Sequence, residues 1–396
     1  MADMTQEFDV VIVGGGLVGS TAAIALTQQG LRVALLDRLT PEFNTFGSDD
    51  WDARIYAITP GNRAWLEKLG VWSGLDSTRV CPIDGMQIWA DANRESLNFS
   101  SYEAHLNRLG DIIESRLLQQ ALWLKMQSVG VHIETGVDCT ALKIADDFAI
   151  ITTNESTTST GQKFKSKLLI AADGANSWVR EQAGVTVNRQ LYAQQALVAN
   201  FTTEQSHQNI ARQWFDADGV LAWLPLPDHK ISIVWSTQHA KLLSHLPPEE
   251  LTSKVAEAGG HCLGQLNLIG QPHVFPIAKF KADSLVQPRM VLLGDAAHQV
   301  HPLAGQGVNL GFRDVIELSD VLSKRNAKQD IGDIMLLRKY ARARKADVLA
   351  LESVTHGLHD LFGSSIPFVK KLRSFGLEWV NQQPKLKQYL IKQAVI

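Results

Sequence analysis

Two stretches in the first half of this chain bring together residue types whose spacing suits a definite chemistry. The first is Gly14-Gly15-Gly16-Leu17-Val18-Gly19, with glycines at the three fixed places of G-x-G-x-x-G. Each glycine answers a steric demand, with a tight turn at Gly14, close approach of a pyrophosphate to the backbone at Gly16, and close helix packing at Gly19. The N-terminus of the helix that follows then faces the phosphate charge. Asp37 lies about 20 residues on, where a carboxylate accepts from an adenosine ribose hydroxyl. The pattern points to a dinucleotide without saying which. The second stretch is Asp173-Gly174-Ala175-Asn176-Ser177 with Arg180, a carboxylate and glycine suited to a turn beside that pyrophosphate. It reads equally well as Asp-Gly turn chemistry followed by a Ser177 N-cap.

A third stretch is more specific. Gly294-Asp295-Ala296-Ala297-His298 leads into a segment from His301 to Asp314 that holds Pro302, Gly305, Gln306, Gly307, Val308 and Asn309. Asp295 is suited to accept from the ribityl hydroxyls of a flavin. Pro302 and the small residues after it let backbone amides at a helix start approach the ring, where the positive dipole end stabilises charge on a reduced flavin. Pro302, Gly305, Gln306 and Gly307 are therefore the candidate catalytic stretch. His298 and His301, three apart, have the spacing of two metal ligands, but no carboxylate cluster completes a site and Pro302 interrupts a helix there. No metal is expected, and packing at the flavin pocket is the better reading of the pair.

The elements around these stretches place all three at strand ends. Asp9–Val13 is a β-branched run, Ser20–Gln29 is helical up to Gly30, and Leu31–Leu36 is a second apolar run, which together make a βαβ unit with parallel pairing. Lys167–Ala172 and Arg289–Leu293 read as further buried strands ending at Asp173-Gly174 and Gly294-Asp295. Ligands of open α/β sheets sit at such carboxyl ends. Tyr192–Phe280 alternates, as in Ala196–Phe201 and Ile231–Trp235, with turns at Asp216–Gly219 and Pro227–His229; this predicts antiparallel strands, joined by Met86–Phe99. Thr152–Gln162 reads as a hairpin loop. From Ile331 the pattern is helical and basic, with a second helical stretch at Phe368–Trp379.

The predicted fold class is α/β: a Rossmann-type dinucleotide domain, a mostly antiparallel β substrate domain and a helical C-terminal region. The expected boundaries are 1–75, 105–185 and 285–330 for the first, 76–104 and 186–284 for the second, and 331–396 for the third. A formal net charge of -3 gives no positive field for nucleic acid, so none is expected as a partner. Three scattered cysteines exclude a disulfide framework and a zinc cluster, which fits a cytoplasmic protein. No secretion signal or spanning segment is read.

The three stretches resemble those of the flavoprotein aromatic hydroxylases, whose type member hydroxylates p-hydroxybenzoate. His301–Asp314 is closer still to the signature of the ubiquinone-biosynthesis hydroxylases, and Leu69-Gly70-Val71-Trp72 and Gln120-Ala121-Leu122-Trp123 are similar to that family too. The resemblance implies FAD as cofactor, NAD(P)H as co-substrate without a Rossmann domain of its own, O2, and a polyprenylated phenol or quinol hydroxylated through a C4a-hydroperoxyflavin. It makes Arg54 the arginine near the flavin. Ser115 stands where relatives often carry Asn, and its hydroxyl can still hydrogen-bond the cofactor. Trp214, Phe215, Leu221, Trp223, Leu224 and Pro225 read either as a lining for the prenyl tail or as sheet core. Peripheral contact with the inner membrane surface and membership of a multiprotein ubiquinone-biosynthesis complex both stay open for the C-terminal helices. A flavoprotein reductase or epoxidase acting on an isoprenoid lipid, and a non-catalytic FAD-bound scaffold subunit, are the alternatives.

Overall fold

Strand Thr5–Val13 sits at the centre of a sheet, parallel to Lys163–Ala171 on one side and to Val33–Asp37 on the other. Met290–Leu292 extends the parallel set beyond Lys163–Ala171, and His132–Thr135 beyond Val33–Asp37. The computed structural model describes residues 5–43, 47, 50–90, 96–154, 161–216, 218–299, 307–363 and 383. Strands buried on both faces read as apolar runs, and Val10, Val11, Ile12, Leu168, Leu169 and Ile170 are fully buried here. The first strand begins earlier than its apolar run. Polar Glu7 and Asp9 are held in the sheet by Lys165 and Lys167 of the neighbouring strand, each at 2.9 Å.

The helix after the glycine turn spans Leu17–Gln28, three residues earlier at its start than its apolar pattern indicates. Its small residues let it lie against the sheet between helices Ser115–Val129 and Gly307–Ser323. The hairpin strands Cys139–Ile144 and Ala149–Thr153 attach antiparallel to Lys163–Ala171, with Thr153 N donating to Gln162 O at 2.9 Å. Helix Ile334–Gly363 carries the basic run, and residues 368–379 lie outside the described part.

The alternating middle of the chain forms an eight-stranded sheet built on two long antiparallel strands, Val187–Thr203 and Leu266–Ala282. Lys230–Thr237, Val220–Leu226 and Ile210–Phe215 follow, then Gly85–Ala90 and Ser96–Ser100. The turn at Pro227–His229 is tight because Asp228 and His229 both adopt left-handed φ, 58° and 54°. A small sheet of Ile55–Ile58, Gly110–Glu114 and Cys81–Ile83 lies between the two large ones.

The parity of the large sheet decides the open reading of its aromatic stripe. Leu197, Phe201, Leu221, Trp223, Ile231 and Ile233 form one core with Leu243, Leu251 and Val255 of the helices Ala240–Ser244 and Pro248–Ala258. Trp214 packs on that core, 4.9 Å from Trp223 between ring centres. Trp214, Leu221 and Trp223 are therefore sheet core, and the tail-lining reading is withdrawn for them. Leu224 and Leu226 turn the other way, onto Ile55, Cys81 and Ile112.

Fully buried Tyr340 donates its hydroxyl to Leu292 O at 3.0 Å, pinning the C-terminal helix to strand Met290–Leu292 just before Gly294. Tyr340→Phe leaves that carbonyl without this donor and is expected to cost about 1–2 kcal/mol. A urea midpoint equal to that of the parent protein would show that the bond carries no weight.

Candidate active site

Register brings the three motifs to one place. Val13 pairs with Ala171, and Ala171 with Leu292, so three adjacent parallel strands end level. Ala172 N donates to Val13 O at 2.8 Å and Leu293 N to Ala171 O at 2.9 Å, after which all three chains leave the sheet side by side. Gly14 has φ 107°, and a Cβ on it would stand 2.3 Å from Ala172 O; one on Gly19 would stand 1.9 Å from Gly14 O. By contrast, among the described residues nothing lies within 4 Å of a Cβ placed on Gly16 or on Gly307. These two begin helices, and each has open space where a ligand backbone can approach.

Asp37 closes the glycine turn. One carboxylate oxygen accepts from Gly15 N and the other from Leu39 N at 2.7 Å, and each keeps a second lone pair for a ribose hydroxyl. Gln119 of the Ser115–Val129 helix donates to Gly15 O at 2.7 Å, a support that sequence reasoning missed. At the second motif Gly174 takes φ 82° and Ser177 Oγ accepts from Arg180 N at 3.0 Å, so the N-cap reading and the turn reading hold together. Asp173 Oδ2 accepts from Val179 N at 3.1 Å, whereas Oδ1 is buried without a hydrogen-bond partner among the described residues. Burial pushes the Asp173 carboxyl above its ordinary value, against hydrogen bonds from Ser177 and Val179. Arg180 donates to Ala175 O and Ala296 O, each at 2.9 Å, and thereby ties the second motif to the third.

In the third motif Asp295 is exposed to solvent yet crowded by protein, the condition of a carboxylate on the wall of a cleft. Crowding pushes its carboxyl up, and Asp314 adds to this; His298 and Arg54 pull it back only in part. Asp314 is fully buried and holds the turn from behind. It accepts from Gly294 N at 2.8 Å and Arg344 Nε at 2.6 Å, and His298 Nε2 lies 2.9 Å from it as an ion-pair contact outside hydrogen-bond alignment. Burial alone would raise the Asp314 carboxyl, but His298, Arg344 and the Gly294 amide outweigh it and hold the group below its ordinary range. Pro302, Gly305 and Gln306 lie outside the described residues, as does His301. Val308 packs in the core of the first sheet, so only its backbone remains for a cofactor. Asn309 is also turned inward: Oδ1 accepts from Thr59 N at 3.1 Å and Asn62 Nδ2 at 2.8 Å, and Nδ2 donates to Ala57 O at 2.7 Å. It latches the Gly307 helix to the segment after Arg54.

Arg54 stands between the two large sheets. Its guanidinium lies over the Phe275 ring, 5.3 Å from the centroid, and its charge acts on Asp295. Its O accepts from Ser115 N at 2.8 Å and its N donates to Asp52 Oδ1 at 2.9 Å. Behind it, fully buried Glu114 accepts from Asp52 N at 2.8 Å and pairs with Arg79 at 2.7 Å and Arg116 at 3.1 Å. Burial pushes the Tyr56 phenol above its ordinary range, with Arg54 and Ser115 pulling it back and Asp295 adding to the rise. Among the described residues no cluster of His, Cys, Asp and Glu suits a metal ion.

This donor set fits FAD. The open starts of two helices suit a pyrophosphate and a ring, Asp37 suits a ribose, Asp295 suits a polyol chain, and Asp173 holds an acceptor unmatched among the described residues. The fold recurs in solved structures: a p-nitrophenol 4-monooxygenase from Pseudomonas putida (TM-score 0.79, 18% identity, 98% of each chain) and a FAD complex of HpxO from Klebsiella pneumoniae (TM-score 0.75, 16% identity, 98% of each chain). Fold and site define a FAD-dependent aromatic-ring monooxygenase. A FAD binding domain family matches residues 7–354. The chain is 33% identical over 395 residues to the 3-demethoxyubiquinol 3-hydroxylase of Escherichia coli, covering 98% of this chain and 99% of the relative. It is 33% identical to a mitochondrial ubiquinone biosynthesis monooxygenase of Drosophila melanogaster, covering 99% and 90%. The chain belongs to this FAD-binding family and, within it, to the ubiquinone-biosynthesis hydroxylases.

Two variants separate the roles of the glycines. Gly16→Ala should leave the thermal midpoint of the apoprotein unchanged and abolish FAD retention, whereas Gly19→Ala should lower both; equal midpoints for the two would show that the Gly14–Gly19 contact is not tight. Asp314→Asn takes from Arg344 its fully buried anion, with the half-buried Asp347 still paired to it, and is expected to cost about 3 kcal/mol near neutral pH. Because the folded-state carboxyl is depressed, its contribution is present above the unfolded carboxylate range and disappears as pH falls through the folded value. Denaturant melts should therefore show the parent and Asp314→Asn converging in acid, and a constant gap would exclude this linkage.

Proposed function

We propose that this protein hydroxylates the aromatic ring of a polyprenylated phenol or quinol intermediate of ubiquinone biosynthesis, using NAD(P)H and O2. The observation that carries the reading is the position of Arg54, which joins the flavin-binding strand ends through Asp295 to the face of the large sheet through Phe275. Bound FAD supplies electron transfer from NAD(P)H and activation of O2. The chain's own residues position and shield. The sheet face on the Arg54 side carries Val198 and Ala222, both buried, which supports an apolar seat for a ring from which water is excluded. Asn200, on the same face, donates to Asp52 O at 3.1 Å and locks the sheet to the Arg54 loop. In this reading Pro302, Gly305, Gln306 and Gly307 supply the backbone that meets the reacting ring.

No described helix is long and apolar enough to cross a membrane. Arg338, Lys339, Arg342 and Lys345 are exposed on helix Ile334–Gly363. This basic side supports a peripheral place at the cytoplasmic face of the inner membrane, close to a substrate whose tail resides in lipid, alone or within a ubiquinone-biosynthesis complex.

The test uses purified FAD-loaded protein, NAD(P)H, labelled O2 and a phenolic ubiquinone precursor. Precursor-stimulated NAD(P)H oxidation with one labelled oxygen atom in the ring is the expected result. Oxidation that ends wholly in hydrogen peroxide with every precursor tried would overturn the reading.

A further inference from the structure

Gln213 lies on strand Ile210–Phe215 with 4% of its surface exposed, and among the described residues its amide makes no hydrogen bond. Parity fixes its face. Arg212 pairs in register with Trp223, and Trp214 packs on the core under the helices, so Gln213 between them lies on the opposite side. Ala211, two residues earlier on that side, shares an apolar cluster with Leu224 and with Ile55, the residue that follows Arg54. One step past this contact, register aligns Ile88, Gln213, Ala222, Val234 and Val198 in a single row across the sheet. Ala222 and Val198 are buried, yet among the described residues they join neither the core under the helices nor the contact with the small sheet. The row is an apolar floor with one amide set in it.

A buried amide without a partner costs free energy, and a methionine of the same length would fill the place without that cost. What the amide adds is recognition of a polar group that arrives from outside the chain. We propose that Gln213 anchors the aromatic substrate, its amide hydrogen-bonding an oxygen substituent of the ring laid on this floor. Oε1 accepts from a ring hydroxyl, and Nε2 donates to a ring oxygen. Ile88 on one side and Ala222, Val234 and Val198 on the other offer only apolar surface, so the oxygen has one place to go and the rest of the ring is oriented by it. Gln213 thereby determines which ring carbon is presented for hydroxylation. The inference rests on the hydroxylase reading for the class of ligand.

The experiment titrates FAD-loaded protein by calorimetry, without NAD(P)H, using 2-prenylphenol and, separately, prenylbenzene, which lacks the hydroxyl. Gln213→Met should bind the phenol about tenfold more weakly, as for one lost hydrogen bond, and prenylbenzene within about twofold of the parent. It should also raise the thermal midpoint of the ligand-free protein, because the unmatched amide is gone. Equal weakening toward both rings would mark a purely structural role and overturn the proposal, as would unchanged binding of the phenol. A lowered midpoint would show that the amide is bonded within the protein and overturn it too. Because NAD(P)H is absent, a protein that binds the phenol with this Gln213 dependence yet forms no ring product fails the hydroxylase reading and leaves the assignment of Gln213 standing.

Discussion

The parallel pairing of Thr5–Val13, Lys163–Ala171 and Met290–Leu292 is the constraint on which the rest of the site depends. Parallel strands in register end at one edge, and each carries its motif over that edge: Gly14, Asp173 and Gly294. Parallel pairs need crossover connections, so the three segments must lie far apart in sequence and meet only in the sheet. Slipping one strand by a residue would bury polar motif residues and expose apolar ones, and the full burial of Val10–Ile12 and Leu168–Ile170 opposes it.

Strand ends alone do not fix side chains, and two polar networks complete the arrangement. Asp314 holds Gly294, His298 and Arg344 in one buried cluster, so the turn that carries Asp295 is set by helices that come after it in sequence. Glu114 does the same for Arg54 through Asp52, Arg79 and Arg116. Buried charges contribute little net stability when replaced as a set, yet breaking one member is costly. Their effect here is positional: each network fixes a loop that would otherwise choose among several conformations. Asn309 has the same character, since its side chain serves the backbone of Ala57 and Thr59.

The large sheet contributes through parity. One face is closed by helices over Trp223, which also packs so closely on Gly259 that a Cβ there would stand 2.1 Å from its ring. The other is left for the small sheet and the Arg54 loop, with Phe275 under the guanidinium.

The local chemistry was legible in the order of residues alone. Glycine spacing, apolar runs ending at Asp173 and Asp295, and the alternation after Tyr192 are properties of neighbouring residues, and they specified a Rossmann-type α/β fold with an antiparallel partner sheet. Element ends were less legible, because the start of Thr5–Val13 is set by lysines of another strand and that of Leu17–Gln28 by packing on Gly14. Which way a residue faces was settled only by packing between distant segments: Asn309 turned inward, Trp214 and Trp223 under helices. So was the convergence of Arg54, Ser115 and Asp295, which depends on pairing between strands more than 50 residues apart, as Ile55 with Glu114. Sequence spacing reports contacts within a turn of helix or along a strand; register between distant strands is set by burial of whole faces, and no short motif encodes it.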